Sequence, residues 1–234
     1  MAIPQWTAKQ RPQQIDMRGQ YCTLTPLKMN EHAASLYQAF CEDAKGANWT
    51  YLPYGPFQDF DGFNEWLSGC TTKDPLFYAI VDKKTSTAIG LASYLRIEPS
   101  VGVVEVGHIH FSPQLQKKPM ATESMYLMMK YVFDQLGYRR YEWKCDALNV
   151  ASRKAALRLG FKFEGIFRQA TIYKGRNRDT AWFSVLDSEW PALKTAFEHW
   201  LNTDNFSAEG LQKHSLQDCV NATKLSRRKH EDHN

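Results

Sequence analysis

The sequence predicts an α/β fold in which one mixed, mostly antiparallel sheet is flanked by helices. Three strand-like runs follow one another between residues 76 and 111, and the polar connections between them are short, as is typical of antiparallel neighbours. Two segments with helical periodicity, over 120–136 and 149–159, then alternate with further strand-like runs. Strands and helices in this order pack as layers around one core.

The first part of the chain is predicted to form an arm, a strand and two helices. Residues 1–19 are polar and rich in Gln, which predicts an N-terminal arm. A strand is predicted over 22–26, and a helix follows from Asn30, whose side chain is expected to cap it. A proline-containing aromatic loop over 47–58 separates this helix from a short helix around 63–67.

The middle of the chain carries the three consecutive strands, predicted over 76–81, 88–96 and 103–111. The helix over 120–136 is expected to end before Gly137, because glycine readily takes the left-handed conformation that follows many helices.

The last part of the chain completes the sheet and ends in a tail. Residues 204–234 are polar and basic near the end, which predicts a poorly ordered tail. The folded domain is therefore expected over 20–203, with a sheet of about seven strands. Its remaining elements are a strand over 141–145, a helix over 149–159 before Gly160, a strand pair over 161–173 and 180–186, and a helix over 190–201.

Composition excludes several classes of protein. Hydrophobic residues make up 43% of the 234-residue chain and charged residues 23%, as in ordinary globular proteins. The formal net charge of +4 is too small and too dispersed to indicate nucleic-acid binding. No apolar run approaches the roughly 18 residues that cross a bilayer, and no secretory signal is evident, so no membrane partner is expected.

The cysteines indicate a reduced protein. Their number is odd, they lie far apart and no Cys-x-x-Cys pair occurs, so neither a disulfide framework nor a structural zinc site is expected. We therefore expect a cytoplasmic protein without a bound metal. The five residues are Cys22, Cys41, Cys70, Cys145 and Cys219.

One stretch, from Ser112 to Ser124, joins a predicted strand to a predicted helix. The beginning of a helix offers unpaired backbone N–H groups and the positive end of the helix dipole, which together suit a pyrophosphate. Lys117 and Lys118 add positive charge at this position. An ordinary helix start with solvated lysines is the alternative, and the residues alone leave both open.

A second junction between a strand and a helix lies at residues 146–152. The side chain of Asn149 can cap the helix or bind a ligand amide at this position. Ser152 follows one turn later on the same side of the helix. A plain N-cap is the alternative to a ligand contact.

These two segments resemble the cofactor-binding motifs of the GNAT acetyltransferases. In that family the first motif reads Gln or Arg, two residues, Gly, one residue, and Gly or Ala. Gln116 and Ala121 fill the two ends of that motif here. In the second segment Asn149, Ser152 and the Gly-Phe pair at 160–161 match the family's helix motif.

The resemblance implies the GNAT fold and an N-acetyltransferase that transfers acetyl from acetyl-CoA to a primary amine. It covers roughly residues 20–200 and is closest to the RimJ/RimL branch, which acetylates protein N-termini. The strand over 105–111 then corresponds to a family strand that bulges, here near Gly107, and opens a slot for the pantetheine arm. The implied cofactor-binding residues are Phe111, Gln116, Lys117, Lys118, Met120, Ala121, Thr122, Asn149 and Ser152.

Three positions depart from the family pattern. Pro119 replaces the middle glycine of the pyrophosphate loop and has no N–H to donate, although proline suits a first helical position. Ala156 stands where many members have a tyrosine acid. Thr171 lies near the place of the RimL-type carboxylate base and cannot act as a base near neutral pH.

Ser152 is therefore the candidate for interaction with the leaving thiolate, and the general base stays open. His108, His110 and Glu105 are the candidates for that base, and both histidines are predicted to share one face of their strand. A structural role is the alternative for each histidine. Cys145 is expected to be a small buried residue rather than a covalent nucleophile.

The aromatic loop is expected to line the acceptor pocket, since aromatic faces attract cationic amines. A hydrophobic plug over the core is the alternative. The candidates are Trp49, Tyr51 and Tyr54 in the loop and Trp182 in the last strand pair, with Arg178 nearby. The sequence does not decide whether the acceptor is a protein N-terminus or a small amine. It also does not decide whether the protein is a monomer or a homodimer.

Two other functions compete with the N-acetyltransferase. A non-catalytic CoA-binding protein on a degenerate GNAT fold is suggested by Pro119, Ala156 and Thr171. A nucleic-acid accessory protein would use the basic tail over 204–234. Release of a thiol from acetyl-CoA in the presence of amines would distinguish the enzyme from both.

Overall fold

The computed structural model describes residues 3–71 and 74–231. Within this part of the chain eight strands form one sheet in the order β1-β2-β3-β4-β5-β6-β8-β7. The strands are β1 (Met17–Arg18), β2 (Cys22–Pro26), β3 (Leu76–Asp82), β4 (Ala88–Glu98), β5 (Val103–Phe111), β6 (Arg140–Asp146), β7 (Lys162–Tyr173) and β8 (Arg176–Leu186).

The sheet is mixed, as predicted. All neighbouring strands run antiparallel except β5 and β6, which are parallel. The sheet has eight strands rather than about seven, because β1 forms within the predicted arm and pairs with β2. The connection between β7 and β8 is also shorter than predicted. It is a two-residue turn at Lys174 and Gly175, so β8 begins at Arg176 rather than at residue 180.

Helices cover both faces of the sheet. The third helix continues beyond Lys130 as a π-helical turn over Tyr131–Gln135. Gly137 follows that turn and Gly160 follows the fourth helix, both at positive φ, which confirms them as the predicted stop signals. The helices are α1 (Met29–Cys41), α2 (Phe60–Ser68), α3 (Pro119–Lys130), α4 (Val150–Arg158), α5 (Trp190–Leu201) and α6 (Leu216–Glu231).

The start of α1 differs from the prediction. The capping position is Lys28 rather than Asn30, and no side chain caps it in the usual way. Instead the buried ring of His32 accepts the Lys28 N–H through Nδ1 at 3.1 Å, so a histidine four residues later satisfies this amide.

Two hydrophobic clusters hold the layers together. The larger one lies between the sheet and helices α3, α4 and α5, where Phe197 and Tyr141 are fully buried. The smaller one lies on the other face, where α1 and α2 pack Leu36 and Phe63 against β3 and β4. Burial of side chains this large is the main stabilising contribution to such a fold.

The N-terminal arm lies along the folded body. The Trp6 indole donates to the Ser100 carbonyl at 2.8 Å. Further along, the Gln13 backbone N–H donates to the Tyr131 hydroxyl, and the Tyr78 hydroxyl donates to the Gln13 carbonyl. These contacts fix the arm at several separate points.

The segment that was predicted to be a poorly ordered tail contains structure as far as it is described. A 3-10 turn at Thr203–Asn205 follows α5, and α6 packs against α5 with Leu216 only 1% exposed. A few apolar residues in this polar segment are enough to dock its described part. Among the helices that the model describes, none is long and apolar enough to cross a bilayer.

Candidate active site

The site begins where two parallel strands separate. Strands β5 and β6 pair only from Val103 opposite Arg140 to Val106 opposite Trp143. Beyond that point β5 continues to Phe111 and β6 to Asp146 without pairing to each other. The backbone groups on the facing edges are thus left available to a bound ligand.

A bulge in β5 lies at this opening. The pairing with β4 slips between Leu91 and Ser93, opposite the residues between Gly107 and His110. His108 takes a φ of +50°, which is rare for a residue with a side chain and marks local strain. The predicted bulge is present, but His108 rather than Gly107 takes the unusual conformation. Gly107 is needed for space, because an added Cβ would lie 2.8 Å from the Leu95 side chain.

A cleft of about 800 Å³ runs from the opening along the beginnings of α3 and α4. This volume suits a ligand of cofactor size. It brings together most of the predicted cofactor-binding residues, namely Phe111, Gln116, Lys117, Lys118, Ala121, Thr122, Asn149 and Ser152, with Tyr51 and His110 also on its walls. Met120 is not among them, because its side chain packs against the larger hydrophobic cluster.

The beginning of α3 faces this cleft. Pro119 occupies the first turn of the helix, where its missing N–H removes no helical hydrogen bond. The amides of Lys118 and Ala121 donate to the carbonyls of Leu115 and Lys118. In the described part of the chain the backbone N–H of Met120 has no acceptor. This N–H is therefore available to a ligand in the cleft, although the Met120 side chain packs against the larger hydrophobic cluster.

Gln116 links three parts of the site. Its side-chain amide donates to the carbonyl of Phe111 at 2.8 Å and to the side-chain oxygen of Asn48 at 3.0 Å. It therefore ties the end of β5 and the aromatic loop to the loop that precedes α3. Both of these hydrogen bonds use its nitrogen, which favours a positioning role over direct binding of an anion.

Asn149 and Ser152 lie at the start of α4. Asn149 caps the helix by accepting the Ser152 N–H at 3.0 Å, and its amide nitrogen makes no hydrogen bond within the described residues. The Ser152 hydroxyl oxygen accepts the indole N–H of Trp143 at 2.9 Å. The same hydroxyl also hydrogen-bonds the Cys145 thiol, so its proton would have to turn from Cys145 to reach a ligand in the cleft.

Two histidines occupy different environments on the side of the smaller cluster. His108 is half-buried, and its Nδ1 lies 2.9 Å from the Tyr54 hydroxyl. His110 is 2% exposed, its ring lies about 4 Å from the rings of Phe40 and Trp49, and neither ring nitrogen has a partner. Desolvation lowers the pKa of His108 to about 4 and that of His110 to about 3, so both are neutral at pH 7. The ring of His110 belongs to the core.

Glu105 lies in a buried ion-pair cluster. Its Oε2 is 2.6 Å from the Arg96 guanidinium and 2.9 Å from the Lys144 amine, and Lys144 also contacts Glu142 at 2.8 Å. Glu105 is 3% exposed. Glu105 is held by these two cations and does not line the cleft, which disfavours it as a base.

The acceptor side of the opening is bordered by the aromatic loop and the β7–β8 turn. The Lys174 amine donates to the Trp49 carbonyl at 2.8 Å, and the Tyr51 hydroxyl donates to the Leu148 carbonyl at 3.1 Å. Tyr51 reaches the cleft, whereas the Trp49 ring is 4% exposed and belongs to the smaller cluster. The Trp49 assignment to the pocket is therefore corrected to a core role, since five aromatic rings enclose it.

The last strand pair contributes Trp182 differently from the prediction. Trp182 stacks on Phe167 at 4.4 Å and lies 3.8 Å from the Lys144 amine, outside the cleft. The half-buried Arg178 lies close enough to His108, at the opening, for its charge to contribute to the lowered pKa of that histidine. Cys145 is buried, and desolvation raises the pKa of its thiol, which disfavours a nucleophilic thiolate.

Sequence reasoning missed the role of Trp143. Its indole reaches Ser152 from the neighbouring strand, nine residues away, and the only signal was an aromatic residue at the end of a strand before the helix motif. Among the described residues no group of three His, Cys, Asp or Glu side chains is arranged to hold a metal ion.

The comparisons with known proteins agree with this geometry. A family model described as "Acetyltransferase (GNAT) domain" matches residues 22–162, more than half of the chain. The chain belongs to the GNAT acetyltransferase family. This membership confirms the predicted GNAT fold and assigns the chain to the acyltransferases named N-acetyltransferases.

Relatives of known sequence support the same family. An uncharacterized N-acetyltransferase, p20, of Bacillus licheniformis is 30% identical over 113 residues, which cover 48% of this chain. The aligned part of the chain spans 63% of the length of that protein. The ribosomal-protein-serine acetyltransferase of Escherichia coli (strain K12) is 24% identical over 165 residues, 68% of this chain and 89% of that protein. This relative supports the resemblance to the RimJ/RimL branch.

Solved structures extend the comparison to the whole fold. A GCN5-related N-acetyltransferase from Brucella melitensis superposes with a TM-score of 0.92 at 45% identity, over 94% of this chain and 100% of that one. The Microcin C7 self immunity acetyltransferase MccE, solved with acetyl-CoA and AMP, superposes with a TM-score of 0.63 at 20% identity, over 72% and 93%. The second likeness concerns the fold alone.

Proposed function

We propose that this GNAT family member transfers acetyl from acetyl-CoA to a primary amine, either a protein N-terminus or a small amine, by direct attack within a ternary complex. The observation that carries the proposal is the separation of β5 and β6 beyond Val106 and Trp143, with Ser152 on the wall of the resulting cleft. A slot between two strand edges suits an extended chain that carries amides of its own, such as pantetheine.

The cleft fits acetyl-CoA by the chemistry of its donors. Unpaired edges of β5 and the free amide nitrogen of Asn149 would bind the pantetheine amides. The N-terminal end of α3, with Lys117 and Lys118 beside it, would hold the diphosphate. When bound, acetyl-CoA would supply the activated acetyl group. The fold of MccE, which was solved with acetyl-CoA, supports this choice of ligand.

Ser152 would interact with the departing thiolate. Its oxygen accepts from Trp143, and its proton can turn from the Cys145 thiol to a sulfur in the cleft. No tyrosine can take this role at position 156, because the residue there is an alanine, on the buried side of α4. Ser152 is therefore the assigned proton donor or hydrogen-bond donor, and Trp143 positions it.

His108 would take the proton from the attacking amine. If Nδ1 donates to the Tyr54 oxygen, Nε2 carries the lone pair, and this nitrogen has no hydrogen bond within the described residues. A pKa of about 4 leaves the ring unprotonated at pH 7, as a proton acceptor must be. His110 and Glu105 are weaker candidates, since the first is enclosed by rings and the second is paired with two cations.

The proposed class of acceptor is supported by the name of one relative and by the residues at the entrance to the cleft. The E. coli relative is named a ribosomal-protein-serine acetyltransferase, which favours a protein N-terminus. The entrance between the aromatic loop and the β7–β8 turn carries Tyr51, Tyr54 and the half-buried Arg178. Aromatic faces would bind the amine as it arrives.

A thiol-release assay tests the proposal. Acetyl-CoA would be incubated with the protein and a panel of peptides with free or blocked N-termini, alkyl diamines and amino acids, while the free thiol is measured. We expect release of CoA with at least one free amine and none with the blocked peptide. A protein that binds CoA by calorimetry but releases no thiol with any amine would instead be a CoA-binding protein.

A further inference from the structure

The cleft continues past the beginning of α3 to a segment near the C-terminus. Its far wall is formed by Trp200 on α5, by Phe206 and by residues 210–212. That segment doubles back on itself, because Phe206 and Gln212 form an antiparallel bridge and the Ser207 N–H donates to the Leu211 carbonyl at 2.8 Å. We call residues 206–212 the C-terminal loop.

The C-terminal loop is fixed to the body at its base. The Trp200 indole donates to the Gln212 side chain at 2.9 Å, and the Trp200 ring meets the Phe206 ring edge-on at 5.2 Å. The buried Asn205 donates to the carbonyls of Trp200 and His214 at 3.0 and 3.1 Å. The loop is thus a wall of the cleft held by specific contacts.

A cation without a carboxylate partner lies at the foot of this wall. The Arg158 guanidinium donates to the Thr122 hydroxyl at 2.9 Å and lies 5.1 Å from the Trp200 ring. It makes no ion pair with any carboxylate whose position the structure describes. Lys117 and Lys118 also line the cleft, and neither forms an ion pair with a carboxylate in the part of the chain that the structure describes.

Apolar surface faces the cleft beside these charges. Leu211 is 70% exposed although it is apolar, and it borders the cleft together with Phe206 and Trp200. A planar, weakly polar ring that carries phosphate groups would satisfy both features at once. A nucleotide has this combination of chemistry, because its base stacks on apolar surface and its phosphates bind cations.

We propose that the C-terminal loop, Trp200 and Arg158 form a binding site for the nucleotide half of coenzyme A, with Arg158 on one of its phosphates and Leu211 against its base. This proposal rests on the proposed use of acetyl-CoA as the donor. It makes affinity for the donor depend on a part of the cofactor remote from the reacting acetyl group.

Calorimetric titration of the full chain tests the site. The ligands are CoA, 3′-dephospho-CoA and pantetheine, and the variants are Arg158→Gln and Leu211→Ser. We expect Arg158→Gln to weaken CoA binding at least about tenfold, because it removes a hydrogen bond to a charged group. We expect Leu211→Ser to weaken binding of both nucleotide ligands about threefold. Pantetheine binding should be unchanged in both variants.

The 3′-dephospho-CoA arm identifies the phosphate. If Arg158→Gln leaves the binding of 3′-dephospho-CoA unchanged, Arg158 holds the ribose phosphate. If Arg158→Gln weakens the binding of 3′-dephospho-CoA as much as that of CoA, Arg158 holds the diphosphate. Lys154→Gln on α4 and Val101→Ser at a distant turn are the matched controls, since neither residue borders the cleft. Both controls should bind CoA like the unaltered chain.

Unaltered CoA binding in Arg158→Gln and Leu211→Ser would overturn the proposal, as would equal losses for pantetheine. These results are independent of the proposed function, because binding is measured without an amine. An unaltered chain that binds CoA and releases no thiol would contradict the function alone.

Discussion

Ser152, the proposed donor to the leaving thiolate, is positioned by two neighbouring residues. Asn149 fixes the first turn of α4 by capping the Ser152 N–H, and Trp143 fixes the hydroxyl from the adjacent strand. The bulge at His108 lies on the other side of the same opening. The proposed chemistry therefore uses residues from β5, β6 and α4 that border the opening between the two strands.

Removal of the Ser152 hydroxyl should slow the chemical step. We expect Ser152→Ala to lower kcat about 100-fold with little change in the KM for acetyl-CoA, as for loss of a positioned proton donor. Trp143→Phe keeps the aromatic ring and loses only the N–H that holds Ser152, so kcat should fall about tenfold. Steady-state kinetics checks both. A kcat that is unchanged in Ser152→Ala would remove the assignment.

Substitutions of His108 and of His110 should have different effects on kcat. We expect His108→Gln to lower kcat at least about tenfold, whereas His110→Leu should keep kcat within about twofold, because the His110 ring is enclosed by Phe40 and Trp49. The opposite pattern of losses would exchange their roles.

The pH profile provides a second test of His108. Its folded pKa of about 4 means that the ring is already unprotonated throughout pH 6–9. The acid limb of kcat/KM in that range should therefore follow the acceptor amine, near the usual α-amino pKa of about 7.7–8.0 for a peptide. A limb near pH 6.5 that His108→Gln abolishes would contradict this account.

Spacing in the sequence was sufficient to find Asn149 and Ser152, because both lie on one short helix whose motif is local. It could not find the Trp143 contact or the enclosure of His110, since these depend on strand pairing and on the rings of α1 and the aromatic loop. Trp182 was misplaced for the same reason. The alternation of residues along β8 predicts on which face of the sheet Trp182 lies, but not how far Trp182 lies from the cleft.

At the scale of elements, α4 begins with a residue that is a structural cap and also a proposed binding contact. The Asn149 oxygen accepts the Ser152 N–H, while its nitrogen is free for a ligand. These two roles can be separated by substitution, because aspartate keeps the oxygen and loses the donor.

We expect Asn149→Asp to keep the stability of the chain and to raise the KM for acetyl-CoA several-fold. Asn149→Ala should raise the KM and also lower the free energy of unfolding by about 1 kcal/mol, as for loss of an N-cap. Urea denaturation and steady-state kinetics on the same samples measure both effects. A KM that is unaltered in Asn149→Asp would show that the residue is a cap only.

Most elements could be predicted from periodicity and from stop signals such as Gly137 and Gly160. The predictions failed where tertiary contacts decide. The short strand β1 forms because β2 offers it an edge, and α1 starts at a backbone amide that His32 satisfies from within the helix. The C-terminal loop is held by Trp200 and Asn205, which no local pattern marks.

At the scale of the whole molecule, the buried histidines couple stability to pH. Their folded pKa values, about 4 for His108 and about 3 for His110, lie below the unfolded value of about 6.5. The stabilisation from keeping them neutral is complete above pH 6.5 and is lost as pH falls toward the folded values, because only the unfolded chain binds the protons.

The melting temperature should therefore fall between pH 7 and pH 5, and His110→Leu should reduce that fall. The variant also removes two buried nitrogens without partners, so its melting temperature at pH 7 should equal or exceed that of the unaltered chain. Thermal denaturation at pH 7, 6 and 5 measures both. An equal fall in both proteins would show that other groups cause it.

The central claim is that the gap between β5 and β6 holds the donor, and a crystal structure with bound CoA tests it most directly. The account predicts the pantetheine chain between Gly107–Phe111 and Lys144–Asp146, with the thiol within hydrogen-bonding distance of the Ser152 hydroxyl and the diphosphate at the beginning of α3. CoA bound elsewhere, with the two strand edges closed on each other, would contradict it.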